Sequence, residues 1–209
     1  MQPTLREGLA VKTECALLHL AAACLLIAGC SGEDPARSLA HATMLDEPRP
    51  LAAFRLFDQR GREFTQAQFA ESWSVLFAGF THCPDICPAT MAMLASAQKR
   101  AGISTDQLRT VFVSVDPERD TPDQLTEYLA HFNSEWTALT GEKEELDRLM
   151  TSLQMAYVRV PMGNGEYTMD HSTALVLIDP EGRMRGYFTA PLDVDALSED
   201  LGRLTRVER

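Results

Sequence analysis

Ser74-Val75-Leu76-Phe77-Ala78-Gly79-Phe80-Thr81-His82-Cys83-Pro84-Asp85-Ile86-Cys87-Pro88 is the stretch on which the fold turns. Its first seven residues are almost wholly apolar, as a strand covered on both faces of a sheet must be. Residues 88–100 then show helical spacing, and Gly102 stands where such a helix would stop. The unit is therefore a buried strand, a tight cysteine-bearing turn and a helix. Functional groups collect at the C-terminal ends of strands in α/β sheets, so the turn's position alone marks it as a candidate site.

Reading outward, residues 110–115 (TVFVSV) form a second buried strand, and residues 123–132 a helix entered through Pro122. Upstream, residues 54–57 and 62–65 flank a turn ending at Gly61 and read as a hairpin. Downstream come a short strand at 136–139 and a helix at 142–155. Its acidic first turn (Glu142, Glu144, Glu145) suits the helix dipole. Strands follow at 157–160, 174–179 and 184–188, and a helix at 194–204 closes the chain. The segment 160–171, with Gly163, Asn164 and Gly165, reads as a mobile loop. This β-α-β-α order, then a β-hairpin and a helix, predicts an α/β fold: a thioredoxin-like sandwich with a central mixed sheet flanked by helices, over residues 51–209.

The chain has 209 residues, 45% of them hydrophobic, and a formal net charge of −11. That length suits one domain with an extension. The acidic balance argues against nucleic-acid partners and against a polybasic membrane patch. Residues 1–29 read as an export leader: charged residues at Arg6, Glu7, Lys12 and Glu14 precede an apolar run from Cys15 to Gly29. That run is shorter than the roughly 20 residues of a membrane-spanning helix. It ends Leu26-Ile27-Ala28-Gly29-Cys30, which resembles a bacterial lipoprotein signal, with Cys30 as the lipidated first residue of the mature chain. Residues 30–50 lack apolar periodicity and read as a tether. The expected location is the periplasmic side, anchored to a membrane.

Five cysteines are too few for a disulfide scaffold, and an odd number cannot all pair. Cys83 and Cys87 are four positions apart, so in a helical turn their Cα atoms lie roughly 6 Å apart on one face. That spacing fits a disulfide, a redox dithiol or a pair of metal-binding thiolates. A helix N-terminus favours the thiolate, and Pro84 and Pro88 stiffen the segment. The residues alone leave static disulfide, thiol exchange and metal binding open.

Three segments taken together resemble the Sco/SenC family. They are Gly79-Phe80-Thr81-His82-Cys83-Pro84-Asp85-Ile86-Cys87-Pro88, Val115-Asp116-Pro117-Glu118-Arg119-Asp120-Thr121-Pro122, and Asp170-His171-Ser172 before an apolar strand. The resemblance runs from about residue 50 to the C-terminus. It implies a thioredoxin-like copper-binding protein that helps assemble the CuA centre of cytochrome c oxidase, with Cys83, Cys87 and His171 as copper ligands. Two thiolates and an imidazole also suit Cu(I), and accept Cu(II) with an added ligand, whereas zinc prefers a fourth. The implied partner is the CuA domain of oxidase subunit II, with a thioredoxin-like reductant or another periplasmic copper carrier upstream. The rival role is a thiol-disulfide reductase that keeps the CuA cysteines reduced. The Pro-x-x-x-Thr-x-x-Cys signature of peroxiredoxin-like enzymes is absent. Asp116 and Asp120 are candidates to support the site or to face a partner, and Asp170 to orient His171. His82 reads as a loop residue. Met91, Met93, Met155, Met162 and Met169 follow no cluster and read as packing.

Overall fold

The computed structural model describes residues 39–206. In chain order these residues form strands β1 (Thr43–Pro50), β2 (Leu56–Asp58), β3 (Glu63–Phe64) and β4 (Trp73–Gly79), then helix α1 (Ile86–Ala101). Next come β5 (Leu108–Ser114), α2 (Pro122–Ala130), β6 (Thr137–Thr140) and α3 (Lys143–Ser152). The last are β7 (Tyr157–Gly163), β8 (Glu166–His171), β9 (Leu175–Ile178), β10 (Arg183–Phe188) and α4 (Val194–Arg206).

Eight strands form one sheet in the order β1-β10-β9-β4-β5-β6-β2-β3. The β4, β5 and β6 strands run parallel, joined through α1 and α2, while β9, β10 and β1 add antiparallel on one side. On the other side β2 pairs antiparallel with β6 and with β3. The sheet is mixed and flanked by helices, as the pattern predicts. Every residue of β4 and β9 is buried, which is why these strands carry no polar alternation. Phe77, Phe112, Leu94, Leu139 and Leu177 are wholly buried at the centre.

The helix ends follow local chemistry. In α2, the Thr121 side chain accepts from the Gln124 amide and Gln124 reaches back to the Thr121 amide, with Pro122 at the first position. The α1 helix stops at Gly102, whose φ of 66° is the left-handed conformation that glycine adopts freely.

Two expectations change. Residues 43–50 are part of the sheet: β1 is an edge strand on β10 and does not belong to the expected tether. Its side chains are mostly exposed, so backbone pairing holds it without any apolar pattern for the sequence to reveal. Just before it, the buried Asp200 of α4 accepts the amides of Ala40, His41 and Ala42 at 2.7–2.9 Å. The segment 160–171 is likewise not a loop. The β7 and β8 strands form an antiparallel ribbon with Tyr157 opposite His171, and the turn at residues 163–165 uses positive φ at Gly163, Asn164 and Gly165. The leader and Cys30 lie outside the described residues, and no described helix is long and apolar enough to cross a membrane.

Candidate metal centre

Where β4 ends, the chain turns through residues 80–85 into α1, and the two cysteines mark the entry. Asp85 stands at the N-cap but makes no capping hydrogen bond. Instead the sulfur of Cys83 accepts the Cys87 amide at 3.4 Å, meeting one of the free donors at the start of the helix. Both thiols are free; Cys87 is fully buried and Cys83 partly exposed. His171, at the end of β8, brings its Nε2 to 3.4 Å from the Cys87 sulfur across 84 residues of chain. Its Nδ1 lies 3.0 Å from the Ser172 carbonyl, and Phe77 and Phe80 pack their rings edgewise on the imidazole at 6.1 and 5.9 Å. A carbonyl acceptor at Nδ1 places the proton there and leaves Nε2 as a lone-pair donor toward the thiol.

Burial pushes the Cys87 thiol up from its ordinary value, against a hydrogen bond from the Phe80 backbone, with the charges of Cys83 and Asp120 adding to the rise. The thiolate-favouring effect expected of a helix N-terminus is outweighed at this position by desolvation. Cys87 therefore carries its proton in the absence of a cation. Among the described residues no three His, Cys, Asp or Glu side chains already stand in a metal-holding group; Cys83 joins the Cys87–His171 pair through the Cys87 amide.

Asp120 is fully buried behind the turn. It accepts from the Thr81 hydroxyl at 2.6 Å, the Ser114 hydroxyl at 2.6 Å and the Thr81 amide at 3.1 Å. It ties the cysteine turn to the end of β5 and faces no partner, while the helix cap is Thr121. His82 is exposed, with Nδ1 3.0 Å from the Thr81 hydroxyl, so it serves the turn. Asp116 is buried under the ribbon, where it binds Arg119 and Tyr167 rather than a cysteine or His171. Asp170 is exposed and does not orient His171; neighbours on a strand point to opposite faces, and the Ser172 carbonyl takes that position.

Three contributors escaped the sequence reading. Thr81 and Ser114 have no pattern that would mark them. Gly79 does, as a glycine ending a buried strand beside the turn. A Cβ there would lie 2.7 Å from the Phe112 ring and 3.1 Å from the Cys87 sulfur. Gly79→Ala is expected to cost about 1–3 kcal/mol of stability by overpacking. Thermal unfolding checks this, and an unchanged midpoint would show that the contact relaxes freely.

Comparison with known proteins adds to this geometry. The SCO1/SenC family model matches residues 43–206. A protein of Stutzerimonas stutzeri named for copper binding is 35% identical over 194 residues, covering 92% of this chain and 95% of that one. The chain covers 47% of the mitochondrial SCO1 homolog 1 of Arabidopsis thaliana, which is 34% identical, and so spans about half of that relative. Among solved structures, copper-bound ScoI of Bradyrhizobium japonicum superposes with a TM-score of 0.68 at 33% identity, over 74% of this chain and 99% of that one. A SCO1/SenC lipoprotein of Bacillus anthracis superposes at 0.64 with 27% identity, over 77% and 98% of the two chains.

Proposed function

The chain belongs to the SCO1/SenC family, and from that premise we propose that it carries copper on Cys83, Cys87 and His171 for the assembly of cytochrome c oxidase. The observation that carries this reading is the Cys87 sulfur 3.4 Å from His171 Nε2, with the free thiol of Cys83 one turn away. Copper is cargo in this scheme. Two sulfurs and one imidazole nitrogen are a soft three-donor set matched to Cu(I), and binding displaces the thiol protons. The partly exposed Cys83 turns inward to close the set. Delivery to the CuA domain of oxidase subunit II proceeds by ligand exchange, each thiolate of the target replacing one donor of the carrier. The phenylalanine rings packed edgewise on the imidazole keep it oriented while the cargo is held.

Residues 1–29 act as a lipoprotein signal and Cys30 as the lipid-bearing residue, so that the segment following Cys30 tethers the domain on the periplasmic side of a membrane. The likeness to the Bacillus lipoprotein supports this reading. A reductant or another copper carrier upstream keeps the pair reduced and loaded.

The unequal exposure of the thiols favours a second reading. A partly exposed Cys83 suits the attacking sulfur of a thiol-disulfide reductase, with the buried Cys87 resolving the mixed disulfide. The two roles part at His171, which copper retention needs and dithiol exchange does not. His171→Ala is expected to lower both copper stoichiometry and CuA assembly in the host. Full CuA assembly alongside lost copper binding would overturn the carrier role and favour the reductase.

A further inference from the structure

The β7–β8 ribbon that carries His171 is a separate two-stranded sheet, and a lone pair of strands is marginally stable in water. Something must set its angle to the domain. At its base, Ser172 donates its amide to the Ala156 carbonyl at 2.9 Å, and Tyr157 donates its hydroxyl to Asp147 of α3 at 2.6 Å. Further out, Tyr167 donates its hydroxyl to Asp116 Oδ1 at 2.8 Å. The other oxygen of Asp116 accepts from Arg119 Nε at 2.5 Å, and Arg119 Nη1 donates back to the Tyr167 carbonyl at 3.1 Å.

The Tyr167 ring lies between two guanidinium groups, Arg119 at 3.8 Å and Arg159 at 3.6 Å from its centre, and Arg159 is paired with Glu118. Arg119 Nη2 is buried without a hydrogen bond, so stacking and the two bonds above hold that group. Tyr167 and His171 are four positions apart on one strand and share a face. Arg119 also stands 5.8 Å from the Phe80 ring, which itself packs on His171. Ribbon, loop and aromatic wall are thus joined through one arginine.

We infer that Asp116, Arg119 and Tyr167 form a latch that fixes the tilt of the ribbon and so holds His171 against Cys87. This deepens the copper reading above, and these three are positioning residues that touch no cargo. Tyr167→Ala removes both the stack and the hydroxyl; Tyr167→Phe removes the hydroxyl alone and keeps the protein folded if the first variant does not survive.

The test has two readouts. In the metal-free protein, ring currents of Phe77 and Phe80 displace the proton resonances of the His171 imidazole, and releasing the latch is expected to move them toward those of an exposed histidine. Resonances that stay in place in both variants overturn the latch. For the cargo, Cu(I) affinity measured against a chromophoric chelator is expected to fall roughly 10- to 100-fold in Tyr167→Ala, the usual range when a ligand loses its orienting partner. In a His171→Ala background the same substitution is expected to change affinity by less than about twofold, because both act through one group. An undiminished loss in that background overturns the inference. Moved His171 resonances with Cu(I) affinity indifferent to both Tyr167→Ala and His171→Ala support the latch and overturn His171 as a copper ligand.

Discussion

Cys87→Ser is expected to abolish tight Cu(I) binding. The substitution exchanges a soft sulfur for a hard hydroxyl that does not ionise at working pH, at the one position that reaches both other donors. Losing a partner that merely orients a ligand costs roughly 10- to 100-fold in affinity, so losing the central ligand costs more than about 100-fold. Competition against a chromophoric Cu(I) chelator measures it, with unfolding curves alongside to separate binding from folding. Cys87 is fully buried, so the new hydroxyl also carries a desolvation cost that a hydrogen bond to His171 Nε2 offsets only in part. Cys87→Ala avoids that cost and is expected to bind as poorly. Copper held by both variants at wild-type affinity would remove Cys87 from the site.

The second large effect is on stability. Asp120→Ala removes a fully buried carboxyl group that accepts from the Thr81 amide and from the hydroxyls of Thr81 and Ser114. Hydrogen bonds to a charged acceptor contribute about 1.5–3 kcal/mol each and are not additive within one network, which puts the loss near 4 kcal/mol. The three stranded donors are buried or half-buried and gain little from water in return. Asp120→Asn keeps one acceptor oxygen and is expected to fall between the two proteins. Urea unfolding distinguishes these cases, and a loss under about 1 kcal/mol for the alanine variant would mean that water or a rearranged turn replaces the carboxyl group. Because Asp120 anchors the residue two before Cys83, the same variant is expected to bind copper less tightly even where it folds.

Much of this protein could be read along the chain. The apolar runs at residues 74–80 and 110–115 are buried strands because a sheet covered on both faces admits no polar alternation. Gly102 and Pro122 bound their helices because glycine takes the left-handed C-terminal conformation at no cost and proline's fixed φ suits the first helical position. The Cys83–Cys87 pair is local, but Cys83 stands in the turn ahead of α1, which begins at Ile86, so that turn and not a helical one sets its geometry. Where the reading failed, the missing information was not local. The edge strand at residues 43–50 exists because β10 offers it hydrogen bonds, and its own exposed side chains give no sign of that. The ribbon at 157–171 contains three residues of positive φ around its turn, which look like a loop until the strands on either side pair.

The acidic residues divide in the same way. Asp116, Asp120 and Asp170 stand in motifs that drew attention to all three, yet the sequence cannot say which way a carboxyl group points. In the folded chain one holds the ribbon, one ties the turn to β5, and one faces solvent. By itself the sequence determined the buried strands, the helices and the presence of the cysteine pair, because hydrophobic period, capping and turn chemistry act over a few residues. The family resemblance named His171 beside Cys87, but only the tertiary structure brings the two together. His171 lies 84 residues away, and its 3.4 Å approach depends on a sheet, a ribbon and a latch whose contacts no local pattern encodes.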